Sequence, residues 1–148
     1  MSRLIVAFVV AVVVTELGIA LVNTTSVLLR LSELGIPLTA AQWADTLVAD
    51  VLGIAPIFLP ILGIGFAIAF AVAAAVVRWL LPNAARYGYP LAGAVCVLTI
   101  VVAVNSIFGT HPIAASRSLA GLGLLCASGA FGGLLFVRLL PARARETA

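Results

Sequence analysis

Residues 4–22 read LIVAFVVAVVVTELGIALV, an apolar stretch interrupted by a single carboxylate, and this stretch decides the class of the protein. A helix needs about 20 apolar residues to cross a hydrocarbon core about 30 Å thick. Three further apolar stretches of comparable or greater length follow at residues 51–80, 91–109 and 118–140. The sequence therefore predicts an all-α integral membrane protein with four spans.

The composition agrees with this class. Hydrophobic residues make up 64% of the chain and charged residues 9%, whereas soluble domains average about 45–50% and about 25%. No hydrophilic stretch is long enough to build a soluble core. The formal net charge of +3 is concentrated at the ends of the apolar stretches, which is typical of a topology signal. We therefore expect a lipid bilayer, and no nucleic acid, as the partner of this surface.

The arginines predict an orientation. Arg30 and Arg117 would lie on one side of the membrane. Six of the eight basic residues would lie on the other side, namely Arg3, Arg78, Arg86, Arg138, Arg143 and Arg145. The positive-inside rule then puts both termini in the cytoplasm. We expect a multi-pass protein of the inner (cytoplasmic) membrane, folded as an antiparallel, up-down-up-down four-helix bundle within a single domain, 1–148.

The segment 24–50 is predicted to form an outer helical loop. Residues 23–25 read Asn-Thr-Thr, which we interpret as the natural break after the first span; the match to an N-glycosylation acceptor pattern is taken as chance. Apolar residues then recur at helical spacing on either side of Gly35 and Pro37, and Thr39 is a suitable N-cap. Two short amphipathic helices are expected, either lying on the outer membrane face or packed as a lid on the bundle.

Three prolines bear on the limits of the spans. The second span is long, and Pro56 and Pro60 near its outer end predict a kink or a fresh helix start. The third span is expected to begin after Pro90 and to end at Gly109.

Small residues recur at fourth positions in two spans and permit close approach of helix backbones. The second span has Gly63, Ala67 and Ala71, and the fourth has Gly129 and Gly133. These rows either close the four-helix bundle or serve association with a second copy or with a partner membrane subunit.

Polar residues from all four helical regions are predicted to converge at the outer end of the bundle. They are Glu16, Asn105, Asp50, His111 and Arg117. A carboxylate within a span is costly and is expected to face the bundle interior or a cavity. These residues could form a polar pocket or an ion site. Alternatively, Glu16 bonds Asn105 or Arg117 in a structural network, or it snorkels to the interface.

No catalytic or nucleotide-binding motif is present. His111 is the only histidine, and with no cysteine nearby it makes a poor metal or haem ligand. We therefore expect no cofactor, no metal and no catalytic residues. The favoured function is an accessory or assembly subunit that acts by helix–helix association. The alternatives are a small oligomeric proton- or ion-coupled transporter or channel using Glu16, and a membrane enzyme acting on a lipid or quinone at the outer interface.

Overall fold

A computed structural model of the protein describes residues 2–35, 39–79, 85–109 and 113–140. In these ranges the chain forms four long helices, α1 (Ser2–Glu33), α2 (Ala40–Trp79), α3 (Ala85–Phe108) and α4 (Leu119–Leu139). A 3-10 turn, Ala114–Arg117, precedes α4. All four long helices contain segments long and apolar enough to cross a membrane. The prediction of an all-helical protein with four membrane-length apolar helices is confirmed.

The segment between the first two spans differs from the prediction. Residues 24–33 continue α1 and residues 40–50 begin α2, so the two separate amphipathic helices expected here are wrong. The Asn-Thr-Thr tripeptide does not break α1, because Thr24 is fully buried and donates a hydrogen bond to Asp50 of α2. A side chain with a partner in another helix does not compete with its own backbone for hydrogen bonds.

Local signals set most helix ends. Beyond α1 and α3, Gly35 and Gly109 adopt φ of 79° and 61°, a left-handed conformation open to glycine. Thr39 and Gln42 form a reciprocal capping box at the start of α2, where the Thr39 N–H donates to Gln42 Oε1 at 2.8 Å. Ser118 caps α4 by accepting a backbone N–H at 3.0 Å. The predicted cap at Thr39 and the helix end at Gly109 are confirmed.

The prolines do not divide the helices. α2 is continuous through Pro56 and Pro60, and α3 begins at Ala85 and includes Pro90. The prediction that a new helix starts at Pro56 or Pro60 is therefore wrong, and so is the prediction that the third span starts after Pro90. The two α2 prolines lie four residues apart and are both exposed. Their missing N–H groups thus fall along one outward face, and the opposite face keeps its hydrogen bonds.

The helices pack as a ring in which α1 contacts α2 and α4, and α3 contacts α2 and α4. An aromatic cluster joins all four around Phe70 of α2. Its ring centroid lies 4.5 Å from that of Phe136 on α4 in a stacked pair, 5.6 Å from that of Tyr89 on α3, and 6.4 Å from that of Phe8 on α1. The quadrupole of aromatic rings favours such offset and edge-on contacts over a face-to-face sandwich. Phe70 is thus a centre for this half of the core.

Glycines bring the α3 and α4 backbones into direct contact. A Cβ added to Gly93 would strike the carbonyl oxygen of Gly129, and one added to Gly129 would strike that of Gly93. One turn along, a Cβ at Gly133 would strike the carbonyl oxygen of Tyr89. These α4 glycines therefore face the inside of the bundle. Gly63 on α2 differs, because a Cβ added there would meet no atom within 4 Å.

This contrast generates a test of the packing. We expect Gly93→Ala to lower the free energy of unfolding by about 1–3 kcal/mol, the usual cost of overpacking a core. Gly63→Ala is the matched control and should be neutral or stabilising, because glycine within a helix is about 0.5–1 kcal/mol worse than alanine. Thermal unfolding in detergent, followed by circular dichroism, measures both. Equal responses of the two variants would contradict the α3–α4 backbone contact.

Candidate functional site

The end of the bundle that holds Gly35 and Ala114 is called the upper end, and it carries a polar network between elements. Asp50 Oδ2 of α2 accepts hydrogen bonds from Thr24 Oγ1 at 2.8 Å and from Asn23 Nδ2 at 3.2 Å. Asn23 Oδ1 in turn accepts the backbone N–H of Ala114 at 2.9 Å. One α1 residue therefore ties α2 to the turn that leads into α4.

Asn23 is the residue that sequence reasoning missed. Its place in the Asn-Thr-Thr tripeptide predicts only a helix break and a chance match to a glycosylation pattern. Two signals were present in the sequence. Asn23 follows Glu16 by seven residues, which places both on one helical face. Thr24 and Asp50 are equally far along the chain from residue 37, so that two helices folded back at that point would bring them to the same height.

A pocket of about 370 Å³ lies below this network, between α1, α2 and α3. Its walls include Glu16, Asn23, Ile57, Phe58, Phe108 and Ile113. Glu16 is only 3% exposed, and its Oε2 atom is buried with no hydrogen-bond partner among the described residues. This cavity is called the upper pocket. It combines mainly apolar walls with a carboxyl group whose hydrogen-bonding capacity is unused.

The remaining predicted site residues are divided among different contacts. Asn105 donates from Nδ2 to Ser116 Oγ at 3.4 Å, and its Oδ1 atom is buried without a partner among the residues described. The side chain of Arg117, next in the chain, is exposed. Asp50 belongs to the polar network. His111 lies outside the described residues. The structure thus joins Asp50 to the upper pocket through Asn23, whereas Asn105 bonds the 3-10 turn.

No metal centre is found in the part of the chain that the structure describes. Within residues 2–35, 39–79, 85–109 and 113–140, no group of three or more His, Cys, Asp or Glu side chains is placed to hold an ion. Cys96 and Cys126 are both free thiols.

A second cavity, called the lower groove, opens between α1 and α2 at the opposite end. Its volume is about 540 Å³, and its walls include Leu4 and Phe8 of α1 and the exposed Ala67 and Ala71 of α2. The aromatic side chains of the core line it as well, including Phe70. Small α2 side chains therefore leave a depression in the surface that reaches the aromatic cluster.

Comparison with known proteins identifies no family for this chain. No protein-family model matches the chain, and neither the curated proteins nor the solved structures include a significant match. Function must therefore be inferred from the residues themselves.

The polar network gives a stability prediction. Asp50→Ala removes the acceptor of the fully buried Thr24 hydroxyl. Because an unsatisfied buried donor costs about 1–3 kcal/mol, we expect this variant to lower the free energy of unfolding by about that amount. Asp45→Ala, at an exposed position on the same helix, is the control and should leave the free energy of unfolding unchanged.

A double-mutant cycle tests the hydrogen bond between Thr24 and Asp50 directly. Thr24→Val keeps the shape of the side chain and removes its donor, so Asp50→Ala should cost much less in the Thr24→Val background. Thermal unfolding of the four proteins in detergent measures this. Strictly additive effects would show that the two residues do not interact.

Proposed function

We propose that the protein is an accessory or assembly subunit of a membrane complex and acts by helix–helix association. The observation that carries the proposal is the uncovered row of small residues on α2, which consists of Gly63, Ala67, Ala71 and Ala75. The three alanines are exposed, and the space above Gly63 is open. The inward-facing glycines of α4, by contrast, are used within the bundle. A small-residue row that no described residue of the chain covers is suited to a helix from another chain.

The shape of the α2 surface supports this. The row runs for about 18 Å at 1.5 Å per residue. Beside it stand the branched side chains of Ile64, Ile68 and Val72, which are 66%, 62% and 58% exposed. The row is thus the floor of a furrow and these branched residues form one of its ridges. Lipid chains give helices no hydrophobic reason to associate, so close backbone approach over small residues is the main attraction available.

The lower groove extends this furrow towards α1. Ala67 and Ala71 line the groove as well as belonging to the row, and Leu4 and Phe8 form its opposite wall. A transmembrane helix seated on α2 would therefore also cover apolar surface of α1. We propose such a helix, supplied by a second copy or by a partner membrane subunit, as the occupant.

The proposal includes an antiparallel bundle that spans the inner membrane. Two observations support the antiparallel arrangement. Along α4, Gly129 meets Gly93 and the later Gly133 meets the earlier Tyr89, which supports opposite directions for α3 and α4. The contacts of α1 with α4 are reversed in the same way. The exposed faces of the helices are rich in large apolar side chains, as lipid contact requires.

Charge at the lower end supports cytoplasmic termini. Arg3 opens α1, Arg78 lies in the last turn of α2 and Arg138 in the last turn of α4, and all three are exposed. Trp79, which is 80% exposed, stands beside them as expected for a membrane interface.

Cysteine accessibility tests this orientation. In a background of Cys96→Ala and Cys126→Ala, a membrane-impermeant maleimide should label Asp45→Cys in intact cells. It should label Ala148→Cys only after the membrane is permeabilised. Labelling of Ala148→Cys in intact cells would overturn the orientation, and the Asp45→Cys variant controls for reagent access.

Association is tested in native membranes with a photo-crosslinking amino acid. At Ala71 it should yield a discrete protein adduct, because a partner helix covers that position. At Ala103, an exposed alanine of α3, the same probe is the matched control and should react with lipid only. Mixing tagged and untagged copies then distinguishes a second copy from a different subunit.

A steric variant adds a second requirement to the crosslinking experiment. Ala67→Leu lifts the floor of the furrow by one branched side chain and should abolish the adduct formed from Ala71, while Ala103→Leu should not affect it. The absence of any protein adduct from Ala71 would refute association through this face.

The two other functions remain predictions. The burial of the Glu16 carboxyl supports proton or ion transport. The presence of Asp50 at the same end of the bundle supports a membrane enzyme at the outer interface. A flux of protons or ions carried by the purified protein in proteoliposomes would favour transport over association. Asp50 already accepts two hydrogen bonds from α1, which supports a structural role for that residue.

A further inference from the structure

We propose that the upper pocket binds a lipophilic amine, whose ammonium group pairs with Glu16 and whose hydrocarbon body fills the apolar part of the cavity. This site is separate from the α2 furrow, since no residue of the α2 row lines the pocket. The inference therefore stands or falls independently of the proposed association.

The first argument is the state of the carboxyl group. Glu16 is 97% buried, and its Oε2 atom has no hydrogen-bond partner among the described residues. Burial of a carboxyl without a partner costs several kcal/mol. Side chains kept for packing or helix register are normally satisfied, as Thr24 and Asp50 are at the same end of the bundle. The unsatisfied Glu16 indicates a partner that comes from outside the chain.

The second argument is that no described residue lining the pocket offers Glu16 a free hydrogen-bond donor. Asn23 is the other polar residue among the described residues that line the pocket. Its amide nitrogen donates to Asp50 and its amide oxygen accepts from Ala114, so both groups are already engaged. No arginine or histidine is among those lining residues. The complement that Glu16 needs is a hydrogen-bond donor, and a cationic donor also balances its charge.

The third argument concerns the rest of the ligand. Phe58 and Phe108 present aromatic rings to the same cavity, and aromatic rings attract ammonium groups as well as hydrocarbon. A volume of about 370 Å³ exceeds what a metal ion or a simple ammonium ion needs. The walls thus select a molecule with one cationic head and a compact apolar body.

The route of entry agrees with a lipophilic ligand. Ile57 of α2 and Phe108 of α3 line the pocket and are 68% and 67% exposed. Both stand on the surface that the helices present to the hydrocarbon of a membrane. A ligand dissolved in the bilayer would therefore reach Glu16 from the side, without crossing the polar network above the pocket.

Calorimetry with the full chain in nanodiscs of zwitterionic lipid tests the site, with empty nanodiscs as the blank. The probe is 1-adamantylamine, and 1-adamantanol is its neutral analogue of the same shape. The amine should bind at least tenfold more tightly than the alcohol. Glu16→Gln should weaken amine binding at least tenfold and leave the alcohol unaffected, whereas Glu33→Gln, at an exposed position on the same helix, should change neither.

A second variant keeps the test decisive should Glu16→Gln fail to fold. Gly53 lines the pocket, and a Cβ added there would meet no atom within 4 Å, so Gly53→Leu can fill the cavity without disturbing the helix. It should abolish binding of the amine. Gly123→Leu is the matched control, because Gly123 is equally open and lies on α4 outside the pocket.

Each outcome of these binding experiments either supports or overturns the proposal. Amine binding that requires both Glu16 and an unfilled pocket supports the proposal. Equal affinity for amine and alcohol, or amine binding that survives Gly53→Leu, would mean nonspecific hydrophobic uptake and would overturn it. The absence of amine binding would overturn it as well. None of these results depends on whether the α2 furrow holds a partner helix.

Discussion

Backbone contact between α3 and α4 is the constraint on which the remaining packing depends. Gly93 and Gly129 leave no room for a Cβ between the two helices. With the axes this close, Tyr89 and Phe136 meet with ring centroids 5.3 Å apart, and Phe136 stacks on Phe70 of α2. The α3–α4 contact thus brings together the aromatic pair against which Phe70 of α2 packs. Glycine is required at the crossing because any larger residue would separate the two helices that carry the aromatic pair.

The same class of small residue has an opposite effect on α2. In α4 the inward-facing glycines contact neighbouring helices, whereas no helix among the described residues covers the row that begins at Gly63 and continues through Ala67. A lipid-facing helix normally carries large side chains, as Ile64 and Ile68 do on the adjoining face. A small-residue row contributes little to lipid contact, and its main energetic use is close approach of another backbone. This difference between two similar sequence patterns is the basis for our proposal that α2 carries an association surface.

The upper end of the bundle holds polar groups that bond one another and a carboxyl oxygen without a partner among the described residues. Asn23, Thr24 and Asp50 satisfy one another and hold α1 to α2 and to the turn before α4. Glu16, below them on the face of α1 shared with Asn23, retains a buried oxygen without a partner among the described residues. In a low-dielectric interior an unsatisfied carboxyl is costly, and evolution keeps such groups where a ligand or proton uses them. The polar network thus joins three elements of the bundle, whereas Glu16 keeps a buried oxygen for which we propose an external ligand.

The all-helical class, the four membrane-length helices and several helix ends are predictable from the amino-acid sequence, because these features depend on local properties. Each apolar run is long enough by itself to form a membrane-length helix. The positive φ of Gly35 ends α1, and the reciprocal cap of Thr39 with Gln42 begins α2, through contacts between residues close in the chain. The tertiary structure decided that α1 continues through the Asn-Thr-Thr tripeptide, since the acceptor that satisfies Thr24 lies in another helix. It also decided which small residues are covered and which polar groups find partners. Helical periodicity assigns residues to a face, but the direction in which that face points is set by contacts between helices.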